Sequence, residues 1–67
     1  MENLGERIKE LRLEKGLTQP ELEKIIGVSN GIISVWENNV NEPKATFIKR
    51  LATALDVTSD YLLGLKN

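Results

Sequence analysis

The segment 18–27, TQPELEKIIG, constrains the fold of this chain more tightly than any other stretch. Thr18 can accept the backbone N–H of Glu21, whose carboxylate can return to the N–H of Thr18, the reciprocal arrangement that opens a helix. Pro20 falls in the first turn, where its missing N–H has no intrahelical partner anyway. Leu22, Ile25 and Ile26 continue an apolar face, and Gly27 is suited to the left-handed residue just past a helix end. The helix so defined is barely longer than two turns, and a helix that short is not stable alone in water. Val28 is the apolar plug of the turn that follows, and Ser29 can cap another helix carrying Ile33 and Trp36. Two short helices joined through three or four residues must cross and bury their apolar faces against each other.

The flanks supply the rest of a helical core. A first helix is expected from about residue 4 to 15, with Leu4, Ile8 and Leu11 on one stripe and Gly16 as its stop. Leu13 lies off that stripe and is expected to be exposed. Asn30-Gly31 is a hairpin signal when alternating apolar residues flank it. Here the neighbouring segments are helical and leave no partner strand, so a capped helix is the better reading. Gly31 weakens that helix by up to about 1 kcal/mol relative to alanine. Asn38-Asn39 is the exit, since asparagine tolerates the left-handed region. After the loop VNEP, a fourth amphipathic helix carries Phe47, Ile48, Leu51, Ala52 and Leu55 and ends at Asp56. Thr58 or Ser59 caps a short last helix through Tyr61, Leu62 and Leu63. Leu22, Ile26, Ile33, Trp36, Leu51 and Leu55 form the expected core. No repeat, linker or low-complexity segment interrupts residues 1–67, so one all-α domain is expected, compatible with the amino-terminal part of a longer regulator.

Composition limits the chemistry. Sixty-seven residues without cysteine or histidine offer no disulfide, no thiolate or imidazole metal site and no catalytic base for Ser29 or Ser34. No glycine-rich phosphate loop or paired-carboxylate pocket is present, so an enzyme, a metal site and a cofactor are all unexpected. No apolar run has the length of a membrane span, and MENLGERIKE lacks the apolar stretch of a signal peptide. A soluble, cytoplasmic protein is expected, with no membrane or evident small-molecule partner. The formal net charge is −1, but its distribution is uneven. In residues 18–43 Lys24 is the single base against Glu21, Glu23, Glu37 and Glu42.

The stretches LRLEKGLTQ, the turn carried by Leu22, Ile26, Gly27, Val28 and Ser29, then Ile33, Ser34, Trp36, Glu37 and Asn38, Pro43, and finally LATALDVTSDYLL stand in one order and register. In this the chain resembles the phage-repressor and Cro-like (XRE-type) helix-turn-helix family over nearly its whole length. The resemblance implies a compact five-helix, lambda-repressor-like DNA-binding domain with the helix-turn-helix formed by helices 2 and 3. It further implies a transcriptional regulator, a repressor by preference, that binds a palindromic operator in double-stranded DNA as a homodimer, with the helix near residues 30–38 in the major groove.

Carried over position by position, the resemblance assigns base contacts to Asn30, Gly31, Ser34 and Val35. Asn30 could pair with adenine in bidentate fashion, and Val35 and Ile32 could meet thymine methyl groups. It assigns phosphate contacts to Thr18, Gln19, Asn38, Lys44 and Arg12, with peptide N–H groups at helix starts adding to them. Arg12 and Glu37 match a charged pair that in relatives links the first and third helices; a plain stability bridge is the equal alternative. Tyr61, Leu62, Leu63 and Leu65 are too many apolar residues for one short terminal helix to bury, and the resemblance assigns Tyr61, Leu62 and Leu65 to the dimer interface. The departures matter as much. Glu23 stands where the family favours alanine, so its stem is expected to bend toward solvent or to open the helix crossing. Ile32 and Val35 stand where polar or basic residues are common, Asn39 replaces the usual glycine, and 40–42 replace a loop that is often basic. An acidic middle is awkward for a DNA reader, because phosphate neutralisation supplies much of the affinity. The alternative is therefore a protein-interaction module that uses the same fold.

Overall fold

The structure, a computed structural model, describes residues 3–65. They form five helices and, among the described residues, no strand: α1 (Leu4–Glu14), α2 (Gln19–Ile26), α3 (Ile32–Glu37), α4 (Ala45–Ala54) and α5 (Ser59–Leu62). Local chemistry sets most of the boundaries. Asn3 Oδ1 accepts the Glu6 N–H at 2.8 Å to open α1. The Thr18–Glu21 reciprocal pair opens α2 with bonds of 2.8 and 3.2 Å. Thr58, rather than Ser59, caps α5 by accepting the Tyr61 N–H at 3.0 Å. Asn39 (φ 59°) and Asp56 (φ 60°) take left-handed turns beyond α3 and α4, the conformation their short polar side chains tolerate.

α2 packs on α3 and α4, α1 on α3 and α5, and α4 on α5, so every helix contributes to one core. Ile8, Leu22, Ile33, Leu51, Leu55 and Leu62 are fully enclosed. Each such side chain contributes about 1.5–3 kcal/mol relative to exposure. Trp36 meets Phe47 with ring centroids 5.9 Å apart and joins α3 to α4. The two ends of the described chain also meet, with the Arg7 guanidinium 5.0 Å above the Tyr61 ring.

Three expectations about burial need correction or support. Leu62 is at 0% exposure, a central core residue and not part of a dimer surface. The terminal helix buries it by laying a single turn across α4. Ile25 does not continue the buried face of α2: it is 58% exposed, because α3 and α4 cover only the sides bearing Leu22 and Ile26. Leu13 is exposed, as its place off the α1 stripe predicts.

Candidate nucleic-acid interface

α3 is six residues long and carries no side-chain cap of its own. Ser29 does not cap it; the N-cap position is Gly31, at φ 94°, and the helix begins at Ile32. Such a helix holds its place through its neighbours: Ile33 and Trp36 anchor it in the core, and two carboxylates engage its ends.

At its end, Glu37 is gripped from two helices. Arg12 of α1 donates Nε to Glu37 Oε2 at 2.6 Å and Nη2 to Oε1 at 3.2 Å, a two-pronged pair. Gln19, the first residue of α2, donates Nε2 to the same Oε1 at 2.9 Å. The third guanidinium arm, Nη1, donates to the Leu17 carbonyl at 2.8 Å. Arg12 and Glu37 are both buried, so this planar fork spans α1, α3 and the turn before α2. Arg12 is accordingly withdrawn as a phosphate contact: its guanidinium is enclosed and engaged, and it serves as the structural half of the Arg12–Glu37 pair.

At its start, Glu23 corrects the sequence reading. Its stem does not turn to solvent. Glu23 is buried, and Oε2 accepts the N–H of Gly31 at 2.8 Å and that of Ile33 at 3.1 Å. Unpaired backbone donors at a helix start suit a carboxylate both by hydrogen bonding and by the helix dipole. Burying the charge is tolerable because the two N–H groups replace lost water. The start of α3 thus spends two donors on Glu23, and the start of α2 spends the Thr18 N–H on Glu21.

These contacts also answer the charge problem. Of the four carboxylates in residues 18–43, Glu23 and Glu37 point inward and are compensated, which leaves Glu21 and Glu42 on the surface with Lys24. Glu21 is itself engaged with Thr18. Hydrogen bonds from the Thr18 backbone and then its side chain hold the Glu21 carboxyl below its ordinary 4.5. The surface of α3 carries no charge at all, since its one ionisable group is Glu37.

The remaining candidates differ in exposure and in what holds them. Asn30 and Gly31 are exposed in the turn before α3, and Ser34 and Val35 are half-buried along it. Val35 and Ile32 both lean on the core. Asn38 Nδ2 donates to the Ser34 carbonyl at 2.9 Å and to Ser34 Oγ at 3.2 Å, fixing the exit of the helix. Lys44 is exposed at the start of α4, where no side chain caps the helix. It shares with Glu42, Trp36 and Phe47 the walls of an open groove of about 400 Å³. Thr18 and Gln19 are at the start of α2, with Gln19 half-buried against Glu37. Tyr61 is half-buried and Leu65 is 70% exposed at the far end of the chain, beside an exposed Leu63.

Three contributors escaped the sequence. Glu23 gives no local signal, because its partners are backbone groups across the turn. Gly5 lies against the end of α3: its N–H donates to Asn39 Oδ1 at 3.3 Å, and an added Cβ would stand 2.4 Å from the Trp36 carbonyl oxygen. Arg50 clamps α4 to α2 by donating Nη1 to the Ile26 carbonyl at 3.1 Å while its guanidinium lies 5.3 Å above the Phe47 ring.

Comparison with known proteins gives this geometry its context. Residues 8–62 match the helix-turn-helix family. Repressor protein C2 of Salmonella phage P22 is 42% identical over 60 residues, which cover 90% of this chain and 28% of the relative. The transcriptional regulator ImmR of Bacillus subtilis is 34% identical over 62 residues, covering 92% of this chain and 49% of the relative. This chain therefore spans half or less of the length of those two proteins. Among solved structures, the P22 c2 repressor in complex with a synthetic operator superposes with a TM-score of 0.91 at 38% identity, covering 98% of this chain and 100% of that one. SinR, the master regulator for biofilm formation, in complex with DNA gives 0.84 at 36% identity, covering 90% and 97%. With a family match over most of its length and a crossing pair built as these relatives build theirs, the chain belongs to the phage-repressor-like (XRE-type) helix-turn-helix family.

Proposed function

We propose that this protein binds double-stranded DNA sequence-specifically as a transcriptional regulator, by preference a repressor, and that α3 enters the major groove. The observation that carries this reading is the pinning of α3 at both ends. Glu23 holds its start and the Arg12–Glu37–Gln19 cluster its end, while Asn30, Gly31, Ser34 and Val35 remain on the open side. This six-residue helix has no N-terminal side-chain cap of its own, so its placement depends on these groups from α1 and α2 together with Ile33 and Trp36 in the core. The P22 c2 repressor, on which this chain superposes almost completely, was solved in complex with a synthetic operator, and this supports DNA as the ligand.

Asn30 and Ser34 read base edges, Val35 meets a thymine methyl group, and Thr18, Gln19, Asn38 and Lys44 follow the backbone. A homodimer, joined through Tyr61, Leu63 and Leu65, sets two α3 helices about 34 Å apart on a palindromic operator. The protein works in the cytoplasm as part of this regulator. A protein-interaction role drew its support from the acidity of residues 18–43 and from Ile32 and Val35 as an apolar patch. Glu23 and Glu37 turned inward, and both apolar residues half-buried against the core, favour the DNA reading over it.

Selection of duplexes from a random pool, at low and at physiological salt, tests the reading. Recovery of a palindromic site is expected. Recovery of no sequence by folded protein would overturn it.

A further inference from the structure

Glu23 does more than fill a space between two helices. Asn30 and Gly31 precede α3 as an exposed turn; Gly31 has no side chain and a left-handed backbone, and a Cβ there would meet nothing within 4 Å. Packing therefore does not fix Gly31 itself. Within the turn the Ile32 N–H donates to the Ser29 carbonyl at 3.3 Å; the tie to α2 is one oxygen, Glu23 Oε2, which receives N–H groups from both the turn (Gly31) and the first turn of α3 (Ile33). Ile33 is fully enclosed, so the helix is anchored on its inner side and the turn is tied to α2 through the carboxylate.

Resting on the DNA-binding reading above, we propose that Glu23 is a positioning residue for base readout: its carboxylate caps α3 from α2 and so fixes the depth and direction at which Asn30 and Ser34 meet the bases. Of the backbone-following groups, Asn38 lies at the other end of α3, Lys44 just before α4, and Thr18 and Gln19 at the start of α2; the carboxylate bonds to the Gly31 and Ile33 amides and to none of these. Loss of the cap therefore separates two properties that loss of folding would lower together. Discrimination falls, and general attraction to DNA stays.

The test compares wild type with Glu23→Ala and Glu23→Gln on the selected duplex and on a scrambled duplex of equal length. Glu23→Ala is expected to lose about tenfold on the selected duplex, the low end of what one amide–base pair discriminates, with less than about a twofold change on the scrambled one. Glu23→Gln keeps an acceptor oxygen and is expected to retain discrimination within about threefold of wild type. Hydrogen exchange at the Gly31 and Ile33 amides is expected to quicken in Glu23→Ala and to hold in Glu23→Gln. Equal losses on both duplexes, or unchanged discrimination in Glu23→Ala, would overturn the proposal. If Glu23→Ala fails to fold, Glu23→Asp takes its place: it keeps the charge but withdraws the oxygen by one methylene, and unchanged discrimination there overturns the proposal too. Wild type that selects no duplex at all defeats the DNA-binding reading itself, which is a different result from a wild type that selects and a Glu23→Ala that selects equally well.

Discussion

At Gly5 a single methyl group is too much. The Trp36 and Glu37 carbonyls and Asn39 Oδ1 all lie within 2.7 Å of where a Cβ would stand, and two of these are backbone atoms that cannot step aside. Gly5→Ala is expected to cost about 1–3 kcal/mol by forcing α1 away from the end of α3, measurable as a lowered urea midpoint with an unchanged slope. Glu21 makes a different kind of prediction. Its carboxyl lies below 4.5 because Thr18 bonds favour the charged form, so the stability it adds is present above that value and fades as pH falls through the lowered one. Glu21→Gln should therefore be less stable than wild type near neutral pH, and the gap should narrow as pH falls below the ordinary 4.5 and through the lowered value. A gap that persists at the acid end would contradict the assignment. At this scale the sequence was legible wherever a residue acts on its own neighbours, as Thr18, Gly27, Thr58 and Asp56 do. Glu23 and Gly5 act on backbone that arrives from another helix, and nothing in their local spacing points to it.

α3 shows what an element can borrow. Its sequence offered Ser29 as a cap and Asn30-Gly31 as a liability, yet the helix starts later, at Ile32, because the cap comes from α2. Its apolar positions, Ile33 and Trp36, were readable from spacing, since core burial follows helical period. The Arg12–Glu37 pair followed from the family resemblance, which left open whether it served phosphate or fold; burial of both partners and three hydrogen bonds within the protein favour the fold. Such a pair is a weak source of net stability but a costly one to halve. Glu37→Gln is expected to cost about 3–5 kcal/mol because it strands the Arg12 guanidinium. Combining it with Arg12→Met should recover much of that loss in urea denaturation. If the double variant is no more stable than Glu37→Gln, the two side chains are not coupled as the geometry requires.

Over the whole molecule, the acidic middle of the sequence proves to be a property of the chain and not of its surface. A linear tally of charges cannot register that two carboxylates turn inward. What remains outside on α3 is uncharged, and Lys44 and Glu42 share a groove with Trp36. Few cations facing the backbone imply a shallow dependence of affinity on salt, with log–log slopes on the order of −2 to −4 per half-site in titrations across a salt series. A much steeper slope would mean that phosphate contacts lie elsewhere. The apolar ends were half legible: Leu63 and Leu65 are exposed as the excess of apolar residues suggested, whereas Leu62 belongs to the core. Leu65→Glu should weaken operator binding more than binding of a single half-site, if the two copies meet there.

The most direct measurement is a map of backbone amide shifts as the selected duplex is titrated into labelled protein. The account predicts large changes at Gln19, at residues 30–35, and at Asn38 and Lys44, with Ile25 and the body of α4 unmoved. Changes centred on Ile25 and α4, with residues 30–35 silent, would contradict it.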